Sequence, residues 1–92
     1  MIIQLTVKDP ANIEQVKGLL QQAGRLSRTE PGCSRFDVYQ SKNEAARFTL
    51  CEHWESQQAL DAHREAQAYS TIYKAQVLPL VERVAHPSEL LV

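Results

Sequence analysis

Residues 30–55 read EPGCSRFDVYQSKNEAARFTLCEHWE, and this stretch decides the fold. Glu30-Pro31-Gly32 is a strong breaker, because proline restricts the residue before it and the Pro-Gly pair favours a turn. Beyond it, Cys33 to Gln40 and Ala46 to Glu55 read as two strands, with Ser41 to Ala45, which contains Asn43, as the hairpin loop. Setting Phe36 opposite Leu50, Val38 opposite Phe48 and Ser34 opposite Glu52 puts Phe36, Val38, Phe48, Leu50, Glu52 and Trp54 on one face. The other face then carries Arg35, Asp37, Tyr39, Arg47, Thr49, Cys51 and His53. One face is apolar with a carboxylate near its end, and the other is mostly polar.

Working outward, Ile2 to Lys8 alternates in period two and predicts a first strand. Asp9 is placed to cap a helix with Pro10 at its first position. Ile13, Val16, Leu19, Leu20, Ala23 and Leu26 then form one apolar stripe, ending near Arg28. Gly18 and Gly24 weaken this helix and suit a close approach to the sheet. On the other side, Ser56 is a good cap for a second helix, along which Ala59, Leu60, His63, Ala66 and Gln67 fall at helical spacing. A further helical stretch, about Tyr69 to Leu78, has Tyr69, Ile72, Tyr73, Val77 and Leu80 as its stripe. Pro79 ends it, Leu80 to His86 reads as a fourth strand, and an apolar tail closes the chain at Leu90-Leu91-Val92.

The order is β-α-β-β-α-β, a split βαβ arrangement of the ferredoxin-like α+β class. It predicts one domain over residues 1–92, a four-stranded antiparallel sheet with both helical regions on one face. The other face needs cover, which a second copy supplies if two sheets pack together as a dimeric α+β barrel. A short chain buries a small share of its surface, and this too favours a homodimer.

Composition narrows the partners. A net charge of −1 with 23% charged residues gives no basic stripe, so no nucleic acid is expected. The apolar runs are too short for a bilayer, and the opening residues show no leader pattern, so a cytoplasmic location is expected. Cys33 and Cys51 lack CxxC spacing, and His53, His63 and His86 share no ligand spacing, so no metal is expected. With three glycines in the chain there is no phosphate- or dinucleotide-cradling loop.

The stretch Glu30-Pro31-Gly32-Cys33, then Arg47-Phe48-Thr49-Leu50-Cys51-Glu52-His53-Trp54-Glu55-Ser56, then Leu60-Asp61-Ala62-His63 resembles the pattern of the antibiotic biosynthesis monooxygenase (ABM) family over nearly the whole chain. That resemblance implies a dimeric α+β barrel with a pocket between sheet and helices in each protomer. It also implies activities that range from oxidation of phenols or quinols by molecular oxygen without a cofactor, through haem cleavage, to autoinducer processing. The positions carried over are Trp54 and His63.

Each candidate residue has two readings. His63 is a base for a phenol proton, since imidazole titrates near neutrality, or a helix-face histidine bonded to Glu52 or a tyrosine. Glu52, a carboxylate on an apolar face, orients His63 as its dyad partner or serves a structural donor. Trp54 is a flat wall for an aromatic substrate or a core anchor. Phe48 and Leu50 would help enclose a ring. Tyr69 and Tyr73, one turn apart, line the pocket mouth or the core edge.

The first function expected is a cofactor-independent monooxygenase of a small phenol or quinol. Haem degradation fits less well. The resemblance to that branch would place its helix-two tryptophan and ligating histidine at His63 and Tyr73, and its strand-one asparagine at Gln4 or Thr6. A non-enzymatic dimer that binds a small metabolite is the alternative from another class.

Overall fold

Alternating burial along the first strand sets the layering: Ile3, Leu5 and Val7 are buried while Gln4 is exposed. In the computed structural model, which describes all 92 residues, the strands are β1 (Ile2–Val7), β2 (Cys33–Gln40), β3 (Arg47–Trp54) and β4 (Val81–His86). They form one antiparallel sheet in the order β2-β3-β1-β4. Helices α1 (Ile13–Ser27), α2 (Gln57–Glu65) and α3 (Ala68–Val77) complete the α+β ferredoxin-like fold.

Side-chain chemistry fixes the ends of these elements. The Asp9 carboxylate accepts from Ala11 N at 2.9 Å and starts a 3₁₀ turn over Pro10–Asn12, so α1 begins at Ile13. Val16, Leu20 and Ala23 bury one stripe of α1. Gly24 lets that stripe approach the sheet: a Cβ there would stand 3.3 Å from Val38 Cγ2, whereas one at Gly18 would meet nothing. The Ser56 hydroxyl accepts from Ala59 N and caps α2. Ala66 is extended and ends α2, and the chain then rewinds as the π-helical α3, which buries Ile72, Tyr73 and Val77. Pro79 sits in a 3₁₀ turn over Leu78–Leu80, so β4 starts at Val81 rather than Leu80. Leu5, Val16, Leu20, Phe48, Leu50 and Val77 form the innermost core.

The hairpin register differs from the sequence expectation by two residues. Phe36 lies opposite Glu52, Val38 opposite Leu50 and Gln40 opposite Phe48. The cause is the loop: the Ser41 hydroxyl accepts from both Asn43 N and Glu44 N, and the ladder resumes only where Ser41 N meets Arg47 O. An even shift preserves the faces, so Phe36, Phe48, Leu50 and Glu52 still point toward the helices. A bulge between Cys33 and Arg35 sets Cys33 opposite Trp54.

Gly32 joins three elements. Its φ is +81°, and a Cβ there would stand 2.5 Å from the Ala59 methyl carbon of α2. Its carbonyl accepts from Glu55 N at the end of β3. Gly32→Ala is therefore expected to destabilise the fold by about 1–3 kcal/mol. Gly18→Ala, on an exposed helix face, should stabilise it by about 0.5–1 kcal/mol. Urea unfolding midpoints check both, and equal shifts in the two variants would contradict this account of Gly32.

Candidate active site

His63 is the buried imidazole between the layers, 5% exposed on the inward face of α2. Its Nδ1 lies 2.7 Å from Glu30 Oε1. A carboxylate accepts, so Nδ1 carries the hydrogen, and in the neutral ring Nε2 is then the bare nitrogen. Aromatic rings enclose the imidazole: Trp54 at 4.4 Å between centroids and tilted by 31°, Tyr69 edge-on at 5.5 Å and Phe36 at 5.8 Å. Beside it is a cavity of about 30 Å³, space for about one water. Ile3, Leu20, Phe36 and Leu50 supply apolar lining, and His63, Glu52, Tyr73 and Arg83 supply polar groups. A wider groove of about 360 Å³ adjoins it, sharing Met1, Glu52 and Leu60 and walled by Trp54 and Leu90.

The structure brings most of the sequence-predicted residues to this place. His63, Glu52, Leu50, Tyr69 and Tyr73 all line the small cavity. Trp54 stands behind His63 and faces the groove instead. Phe48 does neither: it lies opposite Leu5, in the core toward the other end of the sheet, and is 1% exposed. Glu52 is not the hydrogen-bond partner of His63. Its Oε1 accepts from Trp54 Nε1 at 3.0 Å, and the carboxylate that holds the imidazole is Glu30. Gln4 and Thr6 pair with Thr49 and Arg47 on the outer face, away from the cavity. His86 is exposed at the end of β4.

Two site residues escape the sequence reading. Glu30 reads as part of a breaker, and its partner is 33 positions away. The available signal was a carboxylate beside a glycine turn that leads into the apolar hairpin. Arg83 reads as one more polar residue of β4. Its two-residue spacing from buried Val81 marks it as inward-facing, and its Nε donates to the Tyr73 hydroxyl at 2.9 Å. Burial pushes the Tyr73 phenol above its ordinary range, and the Arg83 contact offsets part of that rise. Burial likewise pushes the Cys33 thiol up, which disfavours the reactive thiolate.

A sheet covered by helices on one side, with Glu52, His63 and Tyr73 buried between the layers, defines a ferredoxin-like α+β domain with an internal site. The chain belongs to the antibiotic biosynthesis monooxygenase family, whose model matches residues 1–75. The fold is similar to that of a Bacteroides thetaiotaomicron protein described as a possible oxidoreductase (TM-score 0.82, 23% identity, covering 90% of this chain and 86% of that one). It is similar as well to a candidate antibiotic biosynthesis monooxygenase from Nitrosomonas europaea (0.79, 27%, 90% and 81%). A third similar structure is Rv0793 from Mycobacterium tuberculosis (0.75, 30%, 96% and 94%). No protein of curated function matches the chain.

The raised Tyr73 phenol has a signed consequence. The unfolded chain releases that proton at lower pH than the native protein does. The stability tied to Tyr73 is therefore intact below roughly pH 10 and is lost as pH rises through the folded value. Absorbance titration should show one phenolate forming late, and Tyr73→Phe should remove that step and flatten the alkaline loss of stability. A titration unchanged by Tyr73→Phe would contradict this.

Proposed function

We propose that the chain is a cofactor-independent monooxygenase of a small phenol or quinol, acting as a homodimer. The observation that carries this reading is a buried imidazole whose Nδ1–H is held by Glu30 while Nε2 is left without a protein partner in a largely apolar cavity. Such a nitrogen is placed to take a phenol proton, and an apolar site favours that transfer by keeping competing water out. The resulting phenolate passes one electron to dioxygen, and the phenoxyl radical and superoxide combine to form a carbon–oxygen bond. Loss of water from that peroxide gives the quinone, so one oxygen atom ends in the product and the other in water.

The cavity must widen before a ring enters. It holds about one water as it stands, and the larger groove beside it is the natural entrance. Leu60 is half-buried and borders both spaces, so its rotation would join them. The ring would then rest between Leu50 below and Tyr69 at the rim, with Trp54 behind His63.

The outer sheet face supports the homodimer. Tyr39 and Val84 are each 52% exposed there, and Leu90, Leu91 and Val92 project beyond β4. A second copy packed on this face would cover these side chains.

Oxygen consumption with a naphthoquinol by sedimentation-defined dimer tests the proposal. Wild-type protein should consume oxygen, and His63→Ala should lower the rate by about 10²–10⁴-fold, as expected for loss of a general base. Wild-type protein that binds the quinol without consuming oxygen would leave only the metabolite-binding reading. A lone protomer at micromolar concentration would remove the dimer.

A further inference from the structure

Arg83 is a guanidinium without a counter-ion at the mouth of the cavity. The ion pairs of the chain involve Arg28, Arg35, Arg47, Arg64 and His63, and none involves Arg83. Its one side-chain hydrogen bond goes to a neutral phenol, that of Tyr73. This bond uses Nε and leaves the two terminal nitrogens, with their fork of N–H donors, unoccupied. Tyr73 accepts from Arg83 through its oxygen, so its own hydrogen is free to donate.

The charges around the cavity point the same way. Arg64 lines it too, and its only carboxylate contact is a marginal one to Asp61, at 3.8 Å on the exposed side of α2. Glu52 is the only carboxylate lining the cavity, and one of its oxygens is taken by Trp54. Arg83 and Arg64, both exposed residues, thus border a cavity whose one carboxylate is partly engaged, an imbalance that suits one further negative charge.

We propose that the ligand carries an anionic substituent, a ring carboxylate, received at the cavity mouth by the Arg83 guanidinium and the Tyr73 hydroxyl. The phenolic ring in this picture rests on the function proposed above, whereas the anion site rests on the unpaired guanidinium. Arg64 adds positive potential at the same mouth. A carboxylate is favoured over a phosphate because it brings a single charge into a cavity that also contains Glu52. Arg83 then acts as the specificity residue, anchoring one end of the ligand while His63 meets the other.

Two ring ligands that differ by the carboxylate, hydroxynaphthoate and naphthol, test this through the fluorescence of Trp54, the chain's only tryptophan. Wild-type protein should bind the acid about 10- to 100-fold more tightly than the neutral ring, the range of a charge-assisted hydrogen bond. The preference should shrink as salt rises. In Arg83→Gln the ratio should approach one, and Arg83→Lys should recover part of it, which also controls for a folding defect in the first variant. Equal binding of the two ligands by wild-type protein, no binding of the acid, or a preference that survives Arg83→Gln overturns the proposal. These readouts need no turnover. Preference without oxygen uptake keeps the anion site and removes the oxygenase, and uptake with naphthol alongside no preference does the reverse.

Discussion

The contact between Glu30 and His63 joins parts of the chain that no local rule brings together. One partner sits in the turn before β2 and the other on α2, and their atoms meet at 2.7 Å with little water access: the side chains are 16% and 5% exposed. A buried imidazole in this setting requires a partner, because an unsatisfied polar group costs about 1–3 kcal/mol. The turn supplies it through Gly32. The positive φ and the absence of a Cβ let this backbone lie against Ala59, one turn before His63 on α2. The hydrogen bond from Glu55 to the Gly32 carbonyl ties the same turn to the end of β3, beside Trp54. Loop, helix and strand are thereby fixed around one ring.

From that anchor the two faces of the sheet take different chemistry. The inner face is apolar except at one end, where Glu52, Trp54, His63, Tyr73 and Arg83 satisfy or surround one another. The polar groups are confined to the end of the sheet where α2 breaks at Ala66 and α3 winds as a π-helix. Wide helical turns of this kind often accompany functional sites. Here the π-helix carries Tyr69 and Tyr73 to the cavity while Ile72 and Val77 remain buried. The outer face is held by exposed pairs such as Arg35 with Asp37, which lowers the Asp37 carboxyl through hydrogen bonding and charge.

Much of this was legible in the residues, for identifiable reasons. Period two survives any even slip, so the hairpin faces could be read although Ser41 moves the register by two. Caps are local, so Asp9 and Ser56 announced their helices. His63 declared itself by lying on the apolar stripe of α2. Contacts set by tertiary packing were not legible. Glu30 was hidden inside a turn signal, and Arg83 inside a strand whose alternation is weak because only Val81 is buried in it. Phe48 shows the converse: sharing a face with Glu52 did not place it near the cavity, because the strand carries it to the far end of the core.

The most direct measurement is nitrogen NMR of the His63 imidazole in histidine-labelled protein. The account predicts a single tautomer with hydrogen on Nδ1 and a bare Nε2, and loss of that fixed state in Glu30→Ala. A native ring with hydrogen on Nε2, or one indifferent to Glu30→Ala, would contradict it.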